Sequence, residues 1–423
     1  MRKFLLALTA VSSLALATSL PAKPARSPEQ VALAALTAAP VWDAHNDVAE
    51  QMRDRRKDVL GDFDFRDTTR TGDPAKGVGA MQTDLTRLHQ GHVGAQIWSV
   101  YVSANLTDQQ AVQATLEQID VMKRLVARYP KDMQFCTEST CVQDAWKQHK
   151  VASLLGMEGG HSIGGSLAIL RQMYALGARY MTLTHFKNNA WADSATDAPE
   201  HNGLTDYGKQ VVREMQRLGM LVDLAHVSEK TMLDTLSVAG APVIVSHSNA
   251  YALNPHPRNV TDAALDAIKA NGGIVMVNFY PAYVLDAGRL WSAEHDAAEA
   301  RFKALNRGSP VAAKAALVVW DKDHPMPRGS VANVADHIDY IAKRIGADHV
   351  GLGGDIDGIE VAVAGLEDVS KYPALFTELA RRGWSQTDLE KLASRNLLRV
   401  LKAAEAYATA HRGDPPIENA TYF

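Results

Sequence analysis

Eight short apolar runs, separated by segments with helical periodicity, constrain the fold of this chain more than any other feature. The runs are rich in Val, Ile, Leu and Met, as expected of parallel β-strands that are covered on both faces. They occupy residues 41–47, 93–102, 151–158, 180–185, 221–226, 242–247, 273–278 and 349–355. Their alternation with helices predicts an α/β protein, a (β/α)8 TIM barrel. A doubly wound open sheet is the alternative, but no glycine-rich phosphate loop supports it.

Helical periodicity fills many of the gaps between these runs. The predicted helices occupy residues 106–129, 166–176, 205–218, 228–236, 261–270 and 331–345, with two more at about 370–382 and 386–408. Thr205 can cap one of them, and Thr261 begins another. Two segments interrupt the alternation: a charged loop at 50–90 after strand one, and an Ala-rich insertion at 281–330 after strand seven. Because both follow the carboxyl ends of strands, both could cover an active site.

Length and composition fit one barrel domain, residues 23–423. A single α/β barrel with insertions accounts for 423 residues, and an apolar fraction of 46% is ordinary for a globular protein. The net charge of −4 and the lack of a basic stripe argue against a nucleic-acid partner.

The N-terminus, residues 1–22, has the pattern of a signal peptide. Arg2 and Lys3 precede an apolar stretch at 4–16 that is too short to span a bilayer. Ala15-Leu16-Ala17 resembles a cleavage site, with Ala22 as a later alternative. A buried N-terminal helix is the other interpretation. We expect an exported protein, periplasmic or secreted, with no membrane anchor, because no later run is long and apolar enough.

Two cysteines, Cys136 and Cys141, are present. An exported chain permits a disulfide, which here would close a small surface loop. Two free thiols are the alternative. Neither cysteine has the neighbours of a zinc–thiolate site.

Several of the apolar runs end in residues of metal-ligand type. His45 and Asp47 end the first run, and an extended segment places residues two apart on the same face. Glu158 closes another run, where a carboxylate is costly unless it is paired or metal-bound. A structural salt bridge is the alternative for Glu158. A carboxylate can also bridge two cations with one oxygen for each.

Two histidines, His226 and His247, end two consecutive strands. One such histidine is more often a structural core residue, but two at matching positions favour metal ligation. Imidazole together with carboxylate suits zinc, with Mn, Fe or Co as substitutes. Asp223 is either a partner that orients a ligand or a buried, hydrogen-bonded acid.

Three further residues are candidates for chemistry or substrate binding. His185 ends the fourth run. Arg258 follows in a loop eleven residues past His247, where its guanidinium could clamp a carboxylate, although a loop arginine is usually solvated. Asp355 ends the last run, where it could shuttle protons. Asp357 either points the same way or belongs to a turn.

The chain resembles the renal (membrane) dipeptidases, zinc enzymes of the amidohydrolase superfamily, from about residue 41 to about residue 400. The similar motifs include His45-Asn46-Asp47, Gly156-Met157-Glu158-Gly159-Gly160-His161, Leu183-Thr184-His185, Asp223-Leu224-Ala225-His226, Ser246-His247-Ser248 and Gly353-Gly354-Asp355-Ile356-Asp357-Gly358. The resemblance implies two zinc ions per chain. His45, Asp47 and Glu158 would hold one, and Glu158, His226 and His247 the other, so that Glu158 bridges them. It also implies a homodimer, and a looser match places Tyr283 near the substrate.

The resulting hypothesis is hydrolysis of dipeptides with a free C-terminal carboxylate, with water activated between the two zinc ions as the nucleophile. His185 would stabilise the oxyanion, Asp355 would transfer the proton, and Arg258 would bind the C-terminal carboxylate. The resemblance further implies tolerance of a D-residue and, as an extension, β-lactam hydrolysis. Another amidohydrolase, such as an N-acyl-amino-acid deacylase or a lactonase, is one alternative. An inactive metal-binding protein is the alternative of another class.

Overall fold

All β-strands of the described chain, residues 26–73 and 78–418 of a computed structural model, belong to one parallel sheet. They are β1 (Val41–Asn46), β2 (Val93–Ser99), β3 (Met133–Phe135), β4 (Val151–Glu158), β5 (Ala178–Thr182), β6 (Leu221–Asp223), β7 (Ile244–Val245), β8 (Ile274–Val277) and β9 (Val350–Leu352). Their order is β2-β1-β9-β8-β7-β6-β5-β4-β3. An additional pairing of β2 with β4 closes the sheet.

Closure of the sheet confirms the (β/α)8 barrel and excludes the open doubly wound sheet. Eight strands form the ring, because β3 pairs only with the first half of β4. This three-residue strand carries no periodic signal and was not predicted. It shifts the numbering, so that the predicted strands three to eight are β4 to β9.

Helices surround the barrel. They are α1 (Pro28–Ala38), α2 (Val48–Arg56), α3 (Leu85–Gln90), α4 (Asp108–Arg128), α5 (Ser139–Lys147), α6 (Leu167–Leu176), α7 (Asp206–Leu218), α8 (Glu229–Val238), α9 (Asp262–Asn271), α10 (Pro281–Val284), α11 (Asp286–Leu305), α12 (Pro310–Asp323), α13 (Val331–Ile345), α14 (Tyr372–Arg381), α15 (Gln386–Glu390) and α16 (Asn396–Ala410). Four helices have a side-chain hydroxyl that accepts a hydrogen bond from a backbone amide at the N-terminus; these hydroxyls belong to Ser166, Thr205, Ser228 and Thr261. None of the helices in the described chain is long and apolar enough to cross a bilayer.

The two predicted interruptions contain helices. The segment at 50–90, expected to be a charged loop, begins within α2 and ends with α3. Its arginines obscured the apolar face of α2, on which Val48, Ala49 and Met52 are buried. The insertion at 281–330 contains α10, α11 and α12. The signal peptide predicted at 1–22 lies outside the described residues, and export therefore stays a prediction.

Two groups of buried side chains make up most of the core. Ala95, Ile97, Leu154 and Ile244 belong to the group in the barrel interior, with α16 packed against it. The strand residues of the other parity, such as Leu155, pack against the surrounding helices. Polar residues replace apolar ones where the interior rows reach the carboxyl ends of the strands, which is where a barrel places its site.

A disulfide joins Cys136, directly after β3, to Cys141 in α5. Of the two alternatives left open by the sequence, the structure therefore has the bridge. It lies beside the amino-terminal half of β4, because β3 pairs with Val151, Ala152 and Ser153. The bridge therefore links β3 to α5 outside the ring of eight strands, and it lies away from the carboxyl end of β4.

Reduction of this disulfide should lower the free energy of unfolding by roughly 2 kcal/mol, because the bridge restricts only a short loop in the unfolded chain. Urea unfolding with and without a reductant measures the difference. A C136A/C141A variant is the control, and its stability should not respond to the reductant. A reductant effect of equal size in that variant would contradict the assignment.

Candidate metal centre

The predicted ligands converge at the carboxyl ends of the barrel strands. A cavity of about 630 Å³ opens there, lined by Asp47, Glu158, His226, His247, His185 and Asp355 among others. These residues end or follow β1, β4, β5, β6, β7 and β9. Residues separated by more than three hundred positions in sequence therefore share one wall.

Glu158 lies at the centre of this cluster and is 4% exposed. Its Oε2 is 3.4 Å from Nε2 of His45. Its Oε1 is 3.1 Å from Nε2 of His226 and 3.4 Å from Nε2 of His247. Two ligand atoms at about 2 Å from one tetrahedral ion lie roughly 3.3 Å apart. The two oxygens of Glu158 thus face different histidines, as a bridging carboxylate requires. His45, Glu158 and His247 also form one group of nearby ligand atoms, so that His247 lies close to both oxygens' partners.

His45 and Asp47 meet on the Oε2 side, with 3.4 Å between Nε2 and Oδ2. They do not meet through simple strand alternation, since the pairing of β1 with β2 slips between Asp43 and Asn46 and Asp47 precedes α2. Among the described residues, His45 Nε2 and both oxygens of Asp47 are buried without a hydrogen-bond partner. Buried polar atoms left unpaired are costly, and a divalent cation between them would satisfy all three.

The protonation of the cluster also suits a cation. Burial lowers the pKa of both His226 and His247 well below the usual range, so that their imidazoles are neutral and retain a lone pair. Burial also tends to lower the pKa of His45, but Tyr180, Glu158 and Asp47 raise it well above the usual range. A nitrogen that binds a proton so firmly lies where positive charge is most stabilised. Imidazole nitrogens and carboxylate oxygens together form a donor set that fits zinc.

The orientation of His247 is set by a buried acid. Ser246 Oγ donates to Asp223 Oδ2 at 2.6 Å and lies 2.7 Å from His247 Nδ1. Because the hydroxyl proton is directed to Asp223, Ser246 accepts from Nδ1–H, which leaves Nε2 free for a metal. Asp223 also accepts from Thr182 at 2.5 Å. Both interpretations left open for Asp223 therefore hold: it is a hydrogen-bonded core acid, and it orients a candidate ligand.

The orientation of His45 depends on a tyrosine that the sequence argument did not identify. The hydroxyl of Tyr180 lies 2.8 Å from His45 Nδ1. Tyr180 pairs with Gly156 across β4 and β5, and a Cβ at Gly156 would lie 2.0 Å from the tyrosine ring. Glycine at 156 therefore makes room for the ring that fixes His45.

Asp43 was also missed, although it stands two residues before His45. Its Oδ1 accepts from the amide of His45 at 2.8 Å, and its Oδ2 accepts from the amide of Gly354 at 2.8 Å and from the hydroxyl of Tyr372. These bonds join β1 to the loop that carries Asp355. A buried carboxylate within an apolar strand was the available signal.

His185 lies over the Oε1 side, with Nε2 3.6 Å from Glu158 Oε1. Its ring packs between those of Tyr101 and Phe186, at centroid distances of 4.7 and 4.1 Å. Burial lowers the pKa of His185 to about 4, so the imidazole is neutral. Its distance from Glu158 would also permit metal ligation, since Glu158, His185 and His226 form one group of nearby ligand atoms.

Asp355 faces the His45 side, 4.0 Å from Nε2. Asn278 Nδ2 donates to its Oδ2 at 2.8 Å. Burial raises the pKa of Asp355 to about 8, and Asp47 and Glu158 add to the effect against the opposing charge of His45. The backbone here is left-handed, with φ of +60°, and a Cβ at Gly358 would lie 2.3 Å from Asp47 Oδ2. The turn therefore holds the acid close to the candidate ligands.

Asp357 is directed elsewhere. Its Oδ1 accepts from the amide of Gln82 at 2.8 Å, and its own amide donates to Gln82 Oε1 at 2.8 Å. Of the two interpretations, the structure thus supports the turn rather than a shared direction with Asp355.

Arg258 is 1% exposed, so it is not the solvated loop arginine of the alternative interpretation. It donates to Ser248 Oγ at 3.2 Å and to the carbonyl of His247 at 3.3 Å. Its guanidinium carbon lies 5.3 Å from the centre of the Tyr283 ring. Tyr283 and His256 line the cavity, whereas Arg258 is not among the lining residues in the described structure. The arginine is near the site, but Tyr283 is the nearer contact for a ligand.

Sequence comparison finds similarity between this chain and dipeptidases. The sequence model of the membrane dipeptidase family, peptidase family M19, matches residues 29–414. A dipeptidase from Claviceps purpurea, tcpJ, is 39% identical over 384 residues, which cover 89% of this chain and 79% of the relative. An uncharacterized dipeptidase from Schizosaccharomyces pombe is 40% identical over 406 residues, covering 93% and 87%.

Solved structures show the same fold. The probable dipeptidase PvdM from Pseudomonas aeruginosa superposes with a TM-score of 0.75 at 25% identity, covering 90% of this chain and 99% of that one. A metallopeptidase from Rhodobacter sphaeroides, liganded with a phosphinate mimic of L-Ala-D-Ala, gives 0.69 at 22% identity, covering 86% and 99%.

Replacing Tyr180 by Phe should weaken metal binding about 10- to 100-fold, because His45 then loses the bond that orients it. Competition between the protein and a calibrated chelator measures the affinity. Tyr340→Phe is the matched control, since it removes a hydroxyl bonded to Asp262 at a distance from the cluster. Equal affinities in both variants would show that the Tyr180 hydroxyl does not support the site.

Proposed function

Because the chain belongs to the membrane dipeptidase family, peptidase family M19, we propose that this metallo-dipeptidase is zinc-dependent and hydrolyses dipeptides with a free C-terminal carboxylate. The observation that carries the proposal is the position of Glu158, whose two oxygens face separate groups of imidazole and carboxylate donors. Tolerance of a D-residue at the C-terminal position is part of the proposal.

The proposed ligands are His45, Asp47 and Glu158 for one zinc ion, and Glu158, His226 and His247 for the other. The separation of 2.9 Å between the Nε2 atoms of His226 and His247 supports their sharing an ion. When bound, such a pair of ions lowers the pKa of water and polarises the substrate carbonyl. Side chains of the protein are proposed to carry out the proton transfer and to stabilise the oxyanion.

Asp355 is proposed to take the proton of the attacking water and return it to the leaving amine. Without bound cations the pKa of Asp355 is raised to about 8, and the positive charge of two zinc ions would lower it, so that the carboxylate is ionised and can accept the proton. The bond from Asn278 holds one oxygen, so the other, which faces His45, is free for the transfer. The neutral imidazole of His185 is proposed to donate to the carbonyl oxygen as it becomes negative, an interaction that contributes about 3 kcal/mol in comparable sites.

Arg258 is proposed to attract the C-terminal carboxylate of the substrate. The guanidinium is held by Ser248 and the His247 carbonyl, with Tyr283 between it and the cavity. Its positive charge therefore acts on the substrate through the electrostatic field rather than by direct contact. The Tyr283 hydroxyl would then be the direct contact, with the arginine supplying the field. This arrangement favours short substrates, because a longer peptide has no carboxylate at that position.

Replacing Asp355 by Asn should lower kcat about 10²- to 10⁴-fold, because the amide can no longer carry the proton. Zinc content, measured by elemental analysis before and after chelation, should remain two ions per chain. Asp357→Asn is the matched control, since an Asn oxygen can still accept from the amide of Gln82. Turnover retained by the Asp355 variant would contradict the proton-transfer role.

Amidation of the substrate's C-terminus should lower kcat/KM at least about tenfold, since a neutral amide does not interact with the guanidinium charge. The measurement compares Leu-Ala with Leu-Ala-amide. In an Arg258→Lys variant, which keeps the charge but not the bonds to Ser248 and the His247 carbonyl that fix its position, part of the discrimination should persist. Equal cleavage of the two substrates by the unaltered enzyme would refute recognition of the carboxylate.

A further inference from the structure

The cavity wall outside the metal cluster is acidic. Glu50 on α2, Asp296 on α11 and Glu360 after β9 line the cavity, and neither lysine nor arginine is among the described residues that line it. The histidines in the lining are uncharged where burial lowers their pKa, as it does to about 4 for His256. Three elements from different parts of the chain therefore give this mouth a negative character.

Of these three acids, Glu50 is the closest in sequence to a candidate ligand, one turn after Asp47 on α2. Within the described part of the chain, its carboxylate has no hydrogen bond or ion pair. Burial raises its pKa to about 9, and the nearby carboxylates of Asp47 and Asp54 add to the effect. A cation close to Glu50 would favour its ionised form and relieve this repulsion.

The arginines of α2 do not supply that cation. Arg53 acts on the carboxylate of Asp58, Arg55 donates to Gln51 and to the carbonyl of Gly79, and Arg56 donates to the carbonyl of Val59 and to Asp62. None of the three forms an ion pair with Glu50 in the described chain. Apart from the zinc ions proposed for the cluster, the remaining source of positive charge is a molecule that enters the cavity.

The position of Glu50 indicates which end of a dipeptide it meets. Tyr283 and His256, with Arg258 close by, lie on the β7–β8 side, where the proposed function places the C-terminal carboxylate. Glu50 follows β1, two strands away from β8 in the sheet, and lies one turn after Asp47, on the His45 side of the cluster. A dipeptide that spans the cluster therefore presents its N-terminal residue to Glu50.

We propose that this enzyme selects dipeptides whose N-terminal residue has a cationic side chain, with Glu50 as its ion-pair partner and Asp296 and Glu360 as outer negative charges. This inference rests on the proposed function and specifies its substrate class. A partly buried ion pair discriminates more strongly than an exposed one, because solvent screens it less.

The test compares Lys-Ala with norleucine-Ala, whose side chains have the same carbon chain and differ by the terminal ammonium group. The zinc-loaded enzyme should give a kcat/KM ratio of at least about ten in favour of Lys-Ala. Glu50→Gln should bring this ratio close to one, whereas Glu50→Asp, which keeps the charge, should retain part of it. Asp54→Asn removes a charge from the same helix without altering the cavity lining and should leave the ratio unchanged.

The ratio separates the possible outcomes. If Glu50→Gln slows both substrates equally, Glu50 serves the α-amino group or the fold, and the proposal is wrong. If the unaltered enzyme cleaves both at similar rates, the selectivity is refuted while the dipeptidase function stands. If it cleaves neither, the proposed function fails and the inference with it. Should Glu50→Gln not fold, the salt dependence of the ratio in the unaltered enzyme decides, since a charge-based preference must shrink as ionic strength rises.

Discussion

The site depends on one buried carboxylate placed among imidazoles. Glu158 is at the end of β4, and its two oxygens lie within 3.1 to 3.6 Å of nitrogens from four histidines. Burial raises the pKa of this acid, but the charge of His45 beside it and a hydrogen bond from His226 lower it well below the usual range. Protonating this carboxylate costs free energy because its pKa is low, and burying it as an unpaired charge in an apolar barrel would cost more. The surrounding ligands, and the polar residues behind them, follow from the need to balance that charge.

A second set of polar residues lies behind the candidate ligands and holds them in position. Asp223, Ser246 and Thr182 form a polar layer beneath His247, and Tyr180 reaches across the interior to His45. Asp223 and Ser246 each stand two positions after an apolar residue of the barrel interior, Leu221 in β6 and Ile244 in β7. At the ends of these two strands the interior therefore changes from packed apolar side chains to polar ones within two residues. His226 and Asp355 have left-handed backbones, with φ of +65° and +60°, a strain that the packed barrel beneath them can sustain.

The barrel could be predicted from the alternation of apolar runs and helical segments, and the candidate ligands from their positions at the ends of those runs. Apolar runs reveal buried strands, and the polar residue that ends each run marks the mouth. Features that depend on geometry across the barrel could not be predicted. The partnership of Tyr180 with His45 requires a glycine on the neighbouring strand, and the burial of Arg258 behind Tyr283 depends on how a loop folds back. Helix α2 was not predicted because its many charged residues gave the segment the composition of a loop, and its three buried apolar residues were too few to reveal a helical period.

The hairpin of α11 and α12 is held by contacts between its two helices and by the packing of α11 on α10, where Gly288 lies against Pro281 and Ala282. The rings of Trp291, His295 and Trp320 contact one another between the two helices, and Gly288 and Ala313 are the buried residues of the described pair. Yet the hairpin contributes Ser292 and Asp296 to the cavity. A module anchored by its own aromatic contacts can change in length or sequence without unsettling the barrel. Evolution can therefore revise what enters this enzyme while the reaction centre stays fixed.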